Sequence, residues 1–189
     1  MNRARFVAGG AALVGVPALL APLARAGASE GELAYANFAI AGEYLMADYY
    51  ARVLKAGLLR GSARNGASAA HRNELEHVAA LTTLLTDAGQ TAPLPEDFEF
   101  AWPQRTFETL GEAVTTGAKV EGAVLGAYLD AAATISVASY RSLFARALAD
   151  HSQHLAVLSW VATGKPVANA FPAALELEQA SRVLEPYLG

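Results

Sequence analysis

No cysteine occurs anywhere in the 189-residue chain, which excludes disulfide staples and thiolate metal sites together. Any metal must therefore be held by oxygen and imidazole. Long basic runs are also missing and the formal net charge is −4, so the chain carries no electrostatic footprint for nucleic acid, and no nucleic-acid partner is expected. Runs of β-branched residues are scarce, while 53% of residues are hydrophobic and alanine is abundant, a balance that favours helix over strand. The expected fold class is all-α, in one domain with a sizeable core.

The N-terminus has the pattern of an export signal. Arg3 and Arg5 precede the apolar stretch FVAGGAALVGVPALLAPLA, which ends in the small-x-small sequence Ala24-Arg25-Ala26. Residues 1–26 are read as a signal peptide cleaved after Ala26, which places the mature protein in the periplasm or outside the cell. A single membrane anchor is the competing reading, but Gly9, Gly10, Gly15 and Pro17 weaken a stable span, so no membrane insertion is expected after cleavage. NRARF resembles a twin-arginine signal with its two arginines split by Ala4, which leaves the export route open.

Beyond Gly27 the breakers divide the chain. Helices are expected at about Glu30–Leu58, ending before RGSARNG, and at about Ser68–Asp87, ending at Ala88-Gly89. QTAPLPEDFEFAWPQ, with three prolines, cannot be helical throughout and is long enough to cross the end of a bundle. Further helices are expected at about Thr106–Thr134 and Ser139–Thr163, then a short terminal one at about Pro172–Leu188. The turn between the third and fourth, TISVAS, contains no Gly or Pro. Residues 27–165 thus read as a bundle of two antiparallel hairpins joined by a crossover, and 166–189 as a C-terminal extension.

Steps of three and four residues pick out the face each helix buries. The first helix gives Ala36, Ile40, Glu43, Ala47, Tyr50 and Leu54; the second gives Ala70, Glu74, His77, Leu81, Leu84 and Ala88. The third gives Val114, Ala118, Glu121, Leu125, Tyr128 and Ala132; the fourth gives Tyr140, Phe144, Ala147, His151, His154, Leu158 and Val161. Every helix therefore carries an ionisable group on an otherwise apolar stripe. An internal repeat reinforces the pattern: Glu43 lies 31 residues before Glu74, Glu121 lies 30 before His151, and Tyr50 and Tyr128 each follow their glutamate by seven. Two such hairpins related by a pseudo-two-fold axis bring the four polar layers to one depth. Burying an unpaired carboxylate costs several kcal/mol, so three together imply a bound cation.

These residues carry a family resemblance. NFAIAGEYLMADYY, ELEHVAAL, KVEGAVLGAYLDAA and DHSQHLAVL resemble, in order, the four helical motifs of the secreted ferritin-like domain family. The di-iron carboxylate arrangement of such bundles places a Glu on each of two helices and Glu-x-x-His on each of the other two. The resemblance implies a ferritin-like four-helix bundle in which Glu43 and Glu121 are terminal carboxylates, Glu74 bridges, and His77 and His154 each cap one metal. His151 is the departure, standing where the family has its second bridging glutamate. Four carboxylates neutralise two divalent ions, whereas Glu43, Glu74 and Glu121 leave one positive charge over. The centre then binds its second metal weakly, needs a hydroxide bridge, or holds one metal. Asp150 is the obvious compensating carboxylate, but the seam spacing turns it to the helix flank.

The cofactor implied is two iron ions, with manganese or a single zinc as alternatives; the partners are metal ions, and a homo-oligomer is compatible. The activity implied is Fe(II) oxidation by oxygen or peroxide. The alternative is a non-enzymatic structural or stress-related bundle whose metal site is degraded, zinc-bound or empty. At the residue level, Tyr50, Tyr128 and Trp160 read as core aromatics, His71, Glu76 and Asp48 as solvated, and His151 equally as a hydrogen-bonded core histidine or a ligand.

Overall fold

The computed structural model describes residues 28–166 and 171–189; the signal peptide expected at residues 1–26 lies outside them. Five α-helices account for the described architecture: α1 Glu30–Ala56, α2 Gly61–Asp87, α3 Leu110–Thr134, α4 Ala138–Thr163 and α5 Leu177–Leu184. The all-α expectation holds. Short 3-10 turns occur at Pro95–Asp97 and Glu185–Tyr187, and the described residues form no strand beyond one isolated bridge, Phe100 to Leu188. No described helix is long and apolar enough to cross a membrane.

Local chemistry sets the ends. Ser29 and Glu32 form a capping box that satisfies the first free amides of α1, and Gly57 closes the helix in the left-handed conformation at φ 67°. The second helix starts seven residues earlier than its sequence suggests, so the segment expected as a loop is largely helical. Packing overrides the two glycines there. Ala67 is buried, Arg64 Nη1 donates to Leu54 O at 3.2 Å, and Gly66 faces Val157 of α4. Thr109 caps α3, which begins four residues later than expected because Thr106 belongs to a turn bonded to Pro103 O. The terminal helix is also shorter than expected: residues before Leu177 run extended, Leu175 N donating to Gly126 O at 3.0 Å.

Cross-helix contacts fix the register. Tyr49 donates to Ala113 O at 2.9 Å, Tyr128 bonds Glu43, and Glu32 reaches Ser136, so α1 and α3 run antiparallel. Asn73 faces His154 and His77 faces Asp150, so α2 and α4 do likewise. The connection from α2 to α3 must then run the length of the bundle. It does so along α1: Phe98 packs on Tyr44, Trp102 and Phe107 pack on Tyr49, and Trp102 Nε1 donates to Asp48 at 2.6 Å. Asp48, read as a solvated residue, is therefore a half-buried acceptor, while Trp160, read as packing, is 47% exposed.

The turn without glycine or proline is held from outside. The Glu32 carboxylate accepts from Ser136 N at 2.6 Å, Ser136 Oγ at 2.8 Å and Val137 N at 3.1 Å, besides Ser29 N at 2.7 Å. Donation from the Ser29 amide, then from Ser136 and Val137, pulls its carboxyl down to about 2. The same residue thus caps α1 and pins the α3–α4 corner. The C-terminal segment packs on α3 through Ala180, Leu184 and Tyr187 and pairs with the crossover, Gly189 N donating to Glu99 O at 2.7 Å.

Candidate metal centre

Four apolar helices could close on a dry seam of alanine, leucine and aromatic rings; at mid-depth they close on charge instead. Glu43 from α1, Glu74 from α2, Glu121 from α3 and His151 from α4 are fully buried at 0% exposure, with His154 at 5%. His77 completes the set at the edge, its side chain 16% exposed. All six site residues expected from the seam meet at this layer.

Their atoms fall into two groups. On one side, His77 Nδ1 lies 3.3 Å from Glu43 Oε2 and 3.6 Å from Glu74 Oε2. On the other, His154 Nδ1 lies 3.0 Å from Glu74 Oε1 and 3.4 Å from Glu121 Oε1. His151 stands between, Nε2 3.1 Å from Glu43 Oε1 and Nδ1 2.8 Å from Glu121 Oε1. Two clusters, Glu43–Glu74–His77–His151 and Glu74–Glu121–His151–His154, each gather four ligand atoms within 4.8 Å of one another.

The donor set suits a cation. Both oxygens of Glu74, His154 Nδ1 and Asp150 Oδ2 are buried without a hydrogen-bond partner, although Glu74 Oε1 and His154 Nδ1 are only 3.0 Å apart. Their proximity without hydrogen-bond alignment is what converging ligands require and what a self-satisfied polar core avoids. Oxygen and imidazole with no thiolate suit iron, manganese or zinc.

Charge perturbs every member. Burial raises the Glu74 carboxyl and the neighbouring Glu43 charge raises it further, to about 7. Burial would also raise Glu43 and Glu121, but the His151 charge and hydrogen bonds outweigh it and hold both below the usual carboxylate range. Burial would lower the histidines; instead the carboxylates raise His77 to about 9, His154 to about 10 and His151 well above its ordinary value.

Three further contacts were not read from the sequence. Tyr128 donates to Glu43, and Tyr50 donates to Glu121 at 3.3 Å, so each hairpin's tyrosine holds a buried carboxylate of the other hairpin. Their matched seven-residue spacing was the available signal. Asp150, expected on the flank, turns Oδ2 to within 3.2 Å of His154 Nε2 and 3.6 Å of His77 Nε2. One carboxylate thus faces the outer nitrogen of both edge histidines, the arrangement that orients imidazoles toward a metal. Its place four residues before His154, hence on a shared helix face, was the clue.

Fold and site together define the class: an antiparallel four-helix bundle built around a buried carboxylate–imidazole cluster that can hold metal. The chain belongs to the ferritin-like domain family, whose family model matches residues 31–163. The match runs from the second residue of α1 through the last of α4 and leaves α5 outside. A comparison with curated proteins gives no match.

Proposed function

We propose that the protein is an exported ferritin-like protein that binds two metal ions, iron or manganese, in the bundle core and oxidises Fe(II) with oxygen or peroxide as electron acceptor. The observation that supports this most is the pair of four-residue clusters meeting at Glu74 and His151 in a fully buried layer. When bound, the ions supply Lewis acidity and one-electron redox chemistry. The protein's part is to hold carboxylates that favour the higher oxidation state, fix imidazole geometry through Asp150, and keep bulk water from a layer with three glutamates at 0% exposure. Export rests on residues 1–26, whose pattern is a cleavable signal.

Stopped-flow absorbance after mixing Fe(II) with the protein in air tests the activity. Oxidation faster than in buffer, abolished by Glu43→Ala with Glu121→Ala, is the expected result; equal rates in parent and double variant would remove the oxidase reading. Mass spectrometry of protein from the native cell tests export, with a mature chain beginning at Gly27 expected and a soluble cytoplasmic chain retaining residues 1–26 overturning it. A second reading follows from His151, which replaces a negative ligand by a neutral one: a non-enzymatic bundle holding a single zinc ion. Zinc alone in the native protein would favour it.

A further inference from the structure

The imidazole of His151 lies at the centre of the cluster with both ring nitrogens engaged, and they are engaged on opposite sides. Nε2 faces Glu43 at 3.1 Å, in the group completed by Glu74 and His77; Nδ1 faces Glu121 at 2.8 Å, in the group completed by Glu74 and His154. Glu74 divides its oxygens the same way, Oε2 toward His77 and Oε1 toward His154. No other residue belongs to both groups. A terminal imidazole ligand presents one nitrogen to a metal and gives the other to a hydrogen-bond acceptor outside the site. His77 and His154 have this orientation, with Nδ1 inward and Nε2 turned out toward Asp150 Oδ2, at 3.6 and 3.2 Å. His151 does not: at 0% exposure it has no outward nitrogen.

We propose that His151 is a bridging ligand, its ring bound as imidazolate through Nε2 to one ion and Nδ1 to the other, so that Glu74 and His151 join a dinuclear centre. The inference rests on the metal-binding reading above. Both nitrogens face carboxylate oxygens, and as two divalent ions enter, whatever N–H hydrogen the ring carries leaves as a proton to solvent while two metal–nitrogen bonds form; no electrons are transferred. The charge then closes. Glu43, Glu74 and Glu121 supply three negative charges and the imidazolate a fourth, matching two divalent cations without a fourth carboxylate. The geometry also differs from an oxygen-bridged pair. Two metal–nitrogen bonds of about 2.0–2.1 Å across an imidazole ring set the ions roughly 6 Å apart, against about 3.5–4 Å for the closer two-metal sites.

The test is a crystal structure of the full chain loaded with Zn(II), with anomalous difference maps at the zinc edge. The proposal predicts two peaks on opposite edges of the His151 ring, more than 5 Å apart on the reasoning above. Two peaks about 4 Å apart, with His151 on one ion or neither, would overturn the bridge and leave the metal-binding function standing. One peak with His151 still between Glu43 and Glu121 would also overturn it. Failure to bind Zn(II), Fe(II) or Mn(II) at all would overturn both. Independently, calorimetric Zn(II) titration of His151→Gln, with circular dichroism to check the fold, should show the second ion lost or weakened at least 100-fold. Two ions bound as tightly as in the parent would contradict the proposal.

Discussion

Glu74 is the residue whose placement serves binding at the direct expense of the fold, and Glu74→Gln separates the two. The amide keeps the carboxyl's size and removes its charge. In protein stripped of metal with chelator, the folded-state carboxyl titrates at about 7 rather than 4.5, raised by burial and by Glu43. Below pH 4.5 it is neutral folded and unfolded and costs nothing. Between 4.5 and about 7 the folded state binds the extra proton, so stability falls as pH rises, and above 7 the whole penalty is present. At about 1.4 kcal/mol per pH unit that penalty reaches about 3 kcal/mol. The Gln variant should therefore be more stable than the parent at pH 8 by up to about 3 kcal/mol, a melting temperature higher by roughly 6–12 °C for a chain of this size. At pH 4.5 the two should melt together. With metal the order reverses, because Glu74 belongs to both ligand groups and its loss removes the linkage stabilisation of both ions. Thermal melts followed by circular dichroism at the two pH values, with chelator and with added Mn(II), give all four numbers. A Gln variant less stable than the parent at pH 8 in chelator would refute the reasoning, since Glu74 would then be a structural anchor.

Other outcomes follow from single contacts. Asp150→Asn should keep the fold and weaken metal affinity by about 10–100-fold by calorimetry, because the one carboxylate that faces both edge histidines loses its charge. His77 and His154 titrate at about 9 and about 10 in the folded state; their stabilising contribution is complete below 6.5 and lost as pH rises through those values, so metal-free protein should lose stability steadily from pH 7 to 10 in urea titrations. Glu32, held at about 2, acts oppositely: its contribution is present above 4.5 and lost as pH falls toward 2, and Glu32→Ala should lower the melting temperature at pH 7 with little effect at pH 2. Gly117→Ala should destabilise by about 1–3 kcal/mol, because the added methyl meets the buried Tyr49 ring and displaces its bond to Ala113 O.

Periodicity carried most of the architecture. Glu43, Glu74, Glu121 and His151 interrupt alanine- and leucine-rich stripes at regular steps, and a stripe can be read without coordinates because helical geometry leaves one burying face. The near-equal separations of the two hairpins placed the four polar layers at one depth, where the structure has them. What escaped was decided by contacts between distant segments. Gly61 and Gly66 read as a loop, but Ala67 and Ala70 are buried on the stripe that follows, and packing carries the helix back through both glycines. Ile135–Val137 lacks turn chemistry because Glu32, a hundred residues away, supplies the acceptor. Asp150 sits at a seam's edge, where a small rotation of α4 decides between solvent and the two histidines, and step counting does not resolve such a rotation.

The central claim is that the buried cluster holds two metal ions through residues of all four bundle helices. Elemental analysis of protein purified from its native cell without a histidine tag tests it most directly, with Glu43→Ala, Glu121→Ala as control. About two iron or manganese ions per chain are expected in the parent and fewer than half as many in the double variant. Metal content that is negligible in the parent, or unchanged in the double variant, would contradict it.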